Sequence, residues 1–162
     1  DPLKASATSK VPEVQEWLQQ IMWVQEFLAK VLQVAQPSLH DACRQTISAM
    51  ESTLDLQDAA SRWPAIFEVI ELIVNCVTPW HHDAGGFPEA YDFLLNLGNC
   101  QDARFDIADC QTSLSYPPGS IIYLTGKVLM HSVKDWGKGW ERAVITHFTK
   151  DAVHDRLGVA CP

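Results

Sequence analysis

Apolar residues at Val14, Trp17, Leu18, Ile21, Phe27, Leu28, Val31 and Leu32 recur at three- and four-residue spacing. That is the rhythm of a helix with one apolar stripe. It predicts one long helix from about Pro12, because proline is tolerated in a first turn, to Pro37, which ends it. Ser38 is placed to cap a second helix running to about Met50, and a third, short helix covers residues 56–62. Past Pro64 the rhythm changes. Residues 66–77 are rich in β-branched side chains and read as one strand that runs straight into Thr78-Pro79-Trp80-His81. Further strands are expected at 91–97, 103–107, 111–116, 121–124, 128–133 and 140–148. Turns at Gly98-Asn99, Pro117-Pro118-Gly119 and Trp136-Gly137-Lys138-Gly139 separate them. Residues 151–157 read as a short closing helix with Gly158 past its end. Residues 1–10 read as a flexible lead-in without the pattern of a secretory signal.

Helices first and then seven or eight short strands predict an α+β fold, with a double-stranded β-helix (jelly roll) core braced by the N-terminal helices. The expected division is a helical brace over residues 1–62 and the core over 63–162, together one compact domain. The 162 residues are 47% hydrophobic and 20% charged, ordinary for a globular chain. A net charge of −8 argues against a uniformly basic nucleic-acid-binding surface. Basic residues are locally in excess from Lys127 to Arg156, so the acidity lies elsewhere. Cys43, Cys76, Cys100, Cys110 and Cys161 form no CxxC pair, which suggests free thiols in a reducing compartment. The longest apolar run, residues 65–77, holds Glu68 and Glu71 and is too short and too charged to span a bilayer, so no membrane partner is expected.

His81 and Asp83 are two residues apart, so on an extended segment both side chains share a face. Such an HxD step is weak by itself; its place between a strand end and a glycine-rich loop strengthens it. His131 sits in an apolar strand, where a single histidine is either a satisfied core residue or a ligand. Two imidazoles and a carboxylate on one face of a metal are the donor set of a non-haem Fe(II) oxygenase. Arg142 alternates with Trp140, Val144 and Thr146, and an arginine among inward apolar residues needs an anion. That anion is either the carboxylate of a co-substrate or a protein acid such as Glu71 or Glu141. Asn75 either bonds a bound co-substrate or makes a local backbone bond. His82 faces away from His81 and Asp83 and reads as a solvent or supporting residue.

Several phrases together resemble a known family: Ile70-Glu71-Leu72-Ile73-Val74-Asn75, Thr78-Pro79-Trp80-His81-His82-Asp83, Tyr91-Asp92-Phe93-Leu94-Leu95-Asn96-Leu97-Gly98, Tyr116-Pro117-Pro118-Gly119-Ser120 and Gly126-Lys127-Val128-Leu129-Met130-His131. They look like the 2-oxoglutarate/Fe(II) dioxygenase domain of the TET/JBP type, in particular its fungal, transposon-associated branch. The resemblance covers roughly residues 63–159. It implies a jelly roll in which His81, Asp83 and His131 bind Fe(II) and Arg142 binds 2-oxoglutarate. It also implies oxidation of a methyl group on a DNA base, 5-methylcytosine or N6-methyladenine, and so an intracellular, nuclear location. A DNA partner would meet the locally basic region, with Lys134, Lys138 and Lys150 on phosphates and Trp136 stacking on a base. Two other readings stand beside this one. In one, the same cofactors act on a protein side chain or small molecule. In the other, the domain is a non-catalytic jelly-roll binding module.

Overall fold

The computed structural model describes residues 3–161. Among them two compact units are found: one takes the residues up to Glu68 and from Asp151 onward, the other is Val69–Lys150.

The first unit is helical. The expected long helix is two, α1 (Pro12–Gln20) and α2 (Met22–Ala35), interrupted at Ile21 with φ −93° and ψ 7°. The Ile21 N–H still donates to Trp17 O and the Gln25 N–H to Ile21 O, so the hydrogen-bond ladder runs through a kink. Leu18, Leu28 and Leu32 are buried, whereas Phe27, expected in the same stripe, is exposed. Pro37 does more than end a helix. It occupies the first turn of α3 (Pro37–Glu51), and the non-helical residue before it, Gln36, is the N-cap in place of Ser38. The third helix, α4, is reduced to Gln57–Ala60. The closing helix α5 (Asp151–Leu157) lies as expected, and Gly158 follows it at φ 67°. His154 is buried within this unit between Thr46 (3.2 Å) and Glu68 (3.8 Å). Of the expected flexible lead-in, residues 1–2 lie outside the described residues, and Thr8–Lys10 form a 3-10 turn.

The second unit holds eight strands: β1 (Val69–Val74), β2 (Thr78–His81), β3 (Asp92–Gly98), β4 (Arg104–Ile107), β5 (Thr112–Ser115), β6 (Ile121–Leu124), β7 (His131–Val133) and β8 (Arg142–Phe148). They form two antiparallel four-stranded sheets, ordered β1-β8-β3-β6 and β2-β7-β4-β5. The chain changes sheet at nearly every connection, which is why the strands are short and the turns close. The expected strand over 66–77 is corrected here. It ends at Val74, Asn75 takes φ 48°, and the chain restarts as β2 in the other sheet. The inner faces meet in a core that includes Leu94, Phe105, Tyr116, Leu124, Val133 and Val144.

Candidate metal centre

β2 carries one extra residue relative to β7: Thr78 pairs with Val133 and His81 with His131 across a register shift. The bulge sets the two imidazoles opposite each other, with ring centroids 4.2 Å apart. Two residues on, the Asp83 N–H donates to Gly126 O at 2.9 Å, which fixes the loop after β2. Its carboxylate reaches both histidines, Oδ1 at 3.2 Å from His81 Nε2 and Oδ2 at 3.7 Å from His131 Nε2.

The tautomers follow from the backbone. His81 Nδ1–H donates to Pro79 O at 2.8 Å and His131 Nδ1–H to Leu129 O at 2.9 Å. In the neutral form each ring therefore turns an unprotonated Nε2 toward Asp83. Burial also holds His131 below the usual imidazole pKa, favouring that neutral form, with the Leu129 carbonyl and Asp83 opposing. Phe105 stacks on His131 (5.3 Å, 13°) and leaves it little freedom to turn. The result is a cluster of acceptors within 4.8 Å of one another. Lone pairs held that close repel unless a cation lies among them. Two imidazoles and one carboxylate suit a divalent first-row metal with open positions, so this donor set fits Fe(II).

The cluster opens into a cleft of about 280 Å³ between the two sheets, lined on the opposite side by Glu71, Asp92, Val144, Thr146 and Arg142. Arg142, at the start of β8, is only 3% exposed. Its Nη1 donates to Cys76 O at 3.2 Å, and its guanidinium lies over Tyr116 (5.7 Å) and Trp136 (5.6 Å). Its Nε has no hydrogen-bond partner among the described residues. No carboxylate among them is within ion-pair distance, so the expected alternative, an ion pair with Glu71 or Glu141, is not formed. Burial lowers the Arg142 pKa, and the same burial pushes the Tyr116 phenol well up. A buried cation without a counter-ion is costly, and an anionic ligand in the cleft would relieve it.

Other sequence-derived candidates fall elsewhere. Asn75 is exposed and lines no part of the cleft. It clamps the Arg142 backbone instead: its N–H donates to Arg142 O (2.8 Å) and its Oδ1 accepts the Arg142 N–H (2.9 Å). Trp136, expected to stack on a base, is buried, with its indole N–H on Trp140 O and its ring against Arg142. Lys134 is engaged by Asp106 (3.8 Å) and the Trp80 ring (5.0 Å). Lys138 and Lys150 are exposed, and Lys150 lies over Phe148, which lines the cleft. His82 is exposed.

Sequence reasoning passed over Asp92 and Gly126. Asp92 is buried at the start of β3 and its Oδ2 accepts the Gly126 N–H at 3.1 Å. Burial and repulsion by Asp83 push its carboxyl up to about 7, against the Gly126 N–H. The available signal was an acid opening a mostly apolar strand.

A family model described as the oxygenase domain of the 2OGFeDO superfamily, Tet_JBP, matches residues 1–151, and so takes in the N-terminal helices as well as the sheets. Among solved structures, NgTET1, described in complex with 5mC DNA, aligns over 93% of this chain with a TM-score of 0.69 and 14% identity. This chain spans 56% of that one. No curated protein matches.

Proposed function

This chain belongs to the Tet/JBP family of Fe(II)- and 2-oxoglutarate-dependent oxygenase domains, and we propose that it oxidises the methyl group of a modified DNA base, 5-methylcytosine or N6-methyladenine. The observation that carries the reading is Arg142: a buried guanidinium without a counter-ion among the described residues, in the same cleft as two imidazoles and a carboxylate. The two interleaved four-stranded sheets are read as a double-stranded β-helix. NgTET1, solved with 5mC DNA, supports the choice of substrate class; a nuclear site of action is proposed because that is where such a substrate would be met.

His81, Asp83 and His131 would hold the metal through Nε2, carboxylate oxygen and Nε2. Arg142 would take the distal carboxylate of 2-oxoglutarate, with Nε free to donate. When bound, iron and 2-oxoglutarate couple reduction of O2 to oxidation of the substrate C–H bond, giving succinate, CO2 and a hydroxymethyl group. The chain contributes position and dryness. The Pro79 and Leu129 carbonyls fix the imidazoles, and Ile73, Leu94, Val133 and Val144 keep the cleft wall apolar. A base reaching this cleft has to leave its stack. Lys138 and Lys150 are the exposed cations suited to the flanking phosphates.

The test is mass spectrometry of oligonucleotides carrying 5-methylcytosine or N6-methyladenine after incubation with the chain, Fe(II) and 2-oxoglutarate, with succinate measured alongside. A base one oxygen heavier, formed with succinate, is expected. The net charge of −8 favours a second reading, in which a protein side chain or small molecule is the substrate. Succinate release stimulated by such a compound, with every oligonucleotide unchanged, would decide for it.

A further inference from the structure

Asp83 lies on a loop, not a strand, yet its carboxylate is aimed at two imidazoles on two strands. What aims it is legible in the contacts behind it. Its N–H is held by the Gly126 carbonyl, and the Gly126 N–H is held by the buried Asp92 carboxylate. Gly126 thus joins the metal-facing loop to the start of β3. Its φ lies outside the left-handed region, so φ alone does not call for glycine. The constraint is space. A Cβ at Gly126 would fall on the Asp83 and Asp92 carboxylates and collide with both. A side chain there would push the two carboxylates aside, and one of them faces the metal site.

We propose that Gly126 and Asp92 are positioning residues for the metal centre: Asp92 anchors the Gly126 amide, and Gly126 holds and makes room for Asp83. Neither residue touches the metal. Both act by keeping the Asp83 carboxylate within reach of His81 and His131, and the proposal rests on the metal-centre reading above. Removing hydrogen-bonded support behind a ligand typically costs 10–100-fold in metal affinity.

The experiment is calorimetric titration of the intact chain with Mn(II), a redox-inert stand-in for Fe(II), without co-substrate. The chains compared are wild type, Asp83→Ala, Gly126→Ala, Asp92→Ala and Asp92→Asn, each checked for native circular dichroism. Gly126→Ala and Asp92→Ala are expected to bind at least about tenfold more weakly than wild type. Asp92→Asn keeps an acceptor for the Gly126 N–H, and its Kd is expected within about threefold of wild type; a purely electrostatic role for Asp92 would not give this rescue. Wild-type affinity in Gly126→Ala or Asp92→Ala, alongside its loss in Asp83→Ala, overturns the proposal and leaves the metal centre standing. Should Gly126→Ala not fold, the Asp92 pair decides: equal loss in the alanine and asparagine variants overturns the hydrogen-bond account. Equal binding by wild type and Asp83→Ala removes the metal centre, and this proposal with it.

Discussion

At the scale of single residues, Arg142 sets function against stability. Its guanidinium is desolvated, faces two aromatic rings and has no acid to pair with among the described residues. Replacing a buried ion pair by apolar residues of similar volume is often neutral or stabilising by about 1–4 kcal/mol, and a buried charge without a counter-ion lacks even the pair's compensating attraction. Arg142→Met is therefore expected to raise the urea midpoint of the metal-free chain. The same change should abolish the rise in thermal midpoint that 2-oxoglutarate with Mn(II) gives wild type. A lower urea midpoint together with a retained 2-oxoglutarate response would show that Arg142 serves packing and not the co-substrate. That His81, Asp83 and His131 would cluster, with Arg142 in the same cleft, was legible from the HxD step in its context together with the family resemblance, because ligand chemistry admits few residue types. Asp92 and Gly126 were not. Their role is spatial, made by three segments that meet only in the fold, and a glycine without positive φ carries no turn signal.

At the scale of elements, the corner between β1 and β2 shows where composition misleads. A β-branched run from 66 to 77 reads as one strand, but the chain bends at Asn75 so that β1 and β2 enter different sheets. The signal was Asn75 itself, a residue type enriched at positive φ. The corner also fixes Arg142, because Asn75 bonds both its N–H and its carbonyl. Asn75→Gly keeps the backbone angle and loses the side-chain acceptor, a cost of about 1 kcal/mol. Asn75→Ala loses the acceptor and also strains the left-handed position, adding about 1–2 kcal/mol. Urea denaturation should therefore rank wild type above Asn75→Gly and Asn75→Gly above Asn75→Ala. Equal midpoints for the two variants would mean that the corner relaxes and the clamp is dispensable. The strands after β2 and the closing helix α5 were readable because turn residues mark most of their ends. The kink at Ile21 was not, because the apolar stripe continues through it.

For the whole molecule, two buried groups of the sheet unit oppose each other in pH. The alternation of strands between sheets, invisible in a linear pattern, is what buries both. His147 is on β8, opposite Ile70 and Phe93, and burial lowers its pKa from 6.5 to about 4, with the Phe93 backbone opposing. Its contribution is fully present above pH 6.5 and is lost as pH falls from there through 4. Asp92 is raised from 3.8 to about 7, first by burial and then by Asp83. Its contribution has the other sign, fully present below 3.8 and lost as pH rises through 7. Between pH 7 and 5, acidification therefore costs about 2 kcal/mol at His147 and returns a similar amount, about 2–3 kcal/mol, at Asp92. Urea midpoints of the metal-free chain across that interval should move in opposite directions, relative to wild type, in the two single variants. His147→Asn, which cannot take up a proton, should gain stability relative to wild type as pH falls. Asp92→Asn, which cannot either, should lose it over the same interval. Parallel curves for wild type and both variants would mean that neither group changes protonation on folding, and the burial that explains both shifts would have to be abandoned.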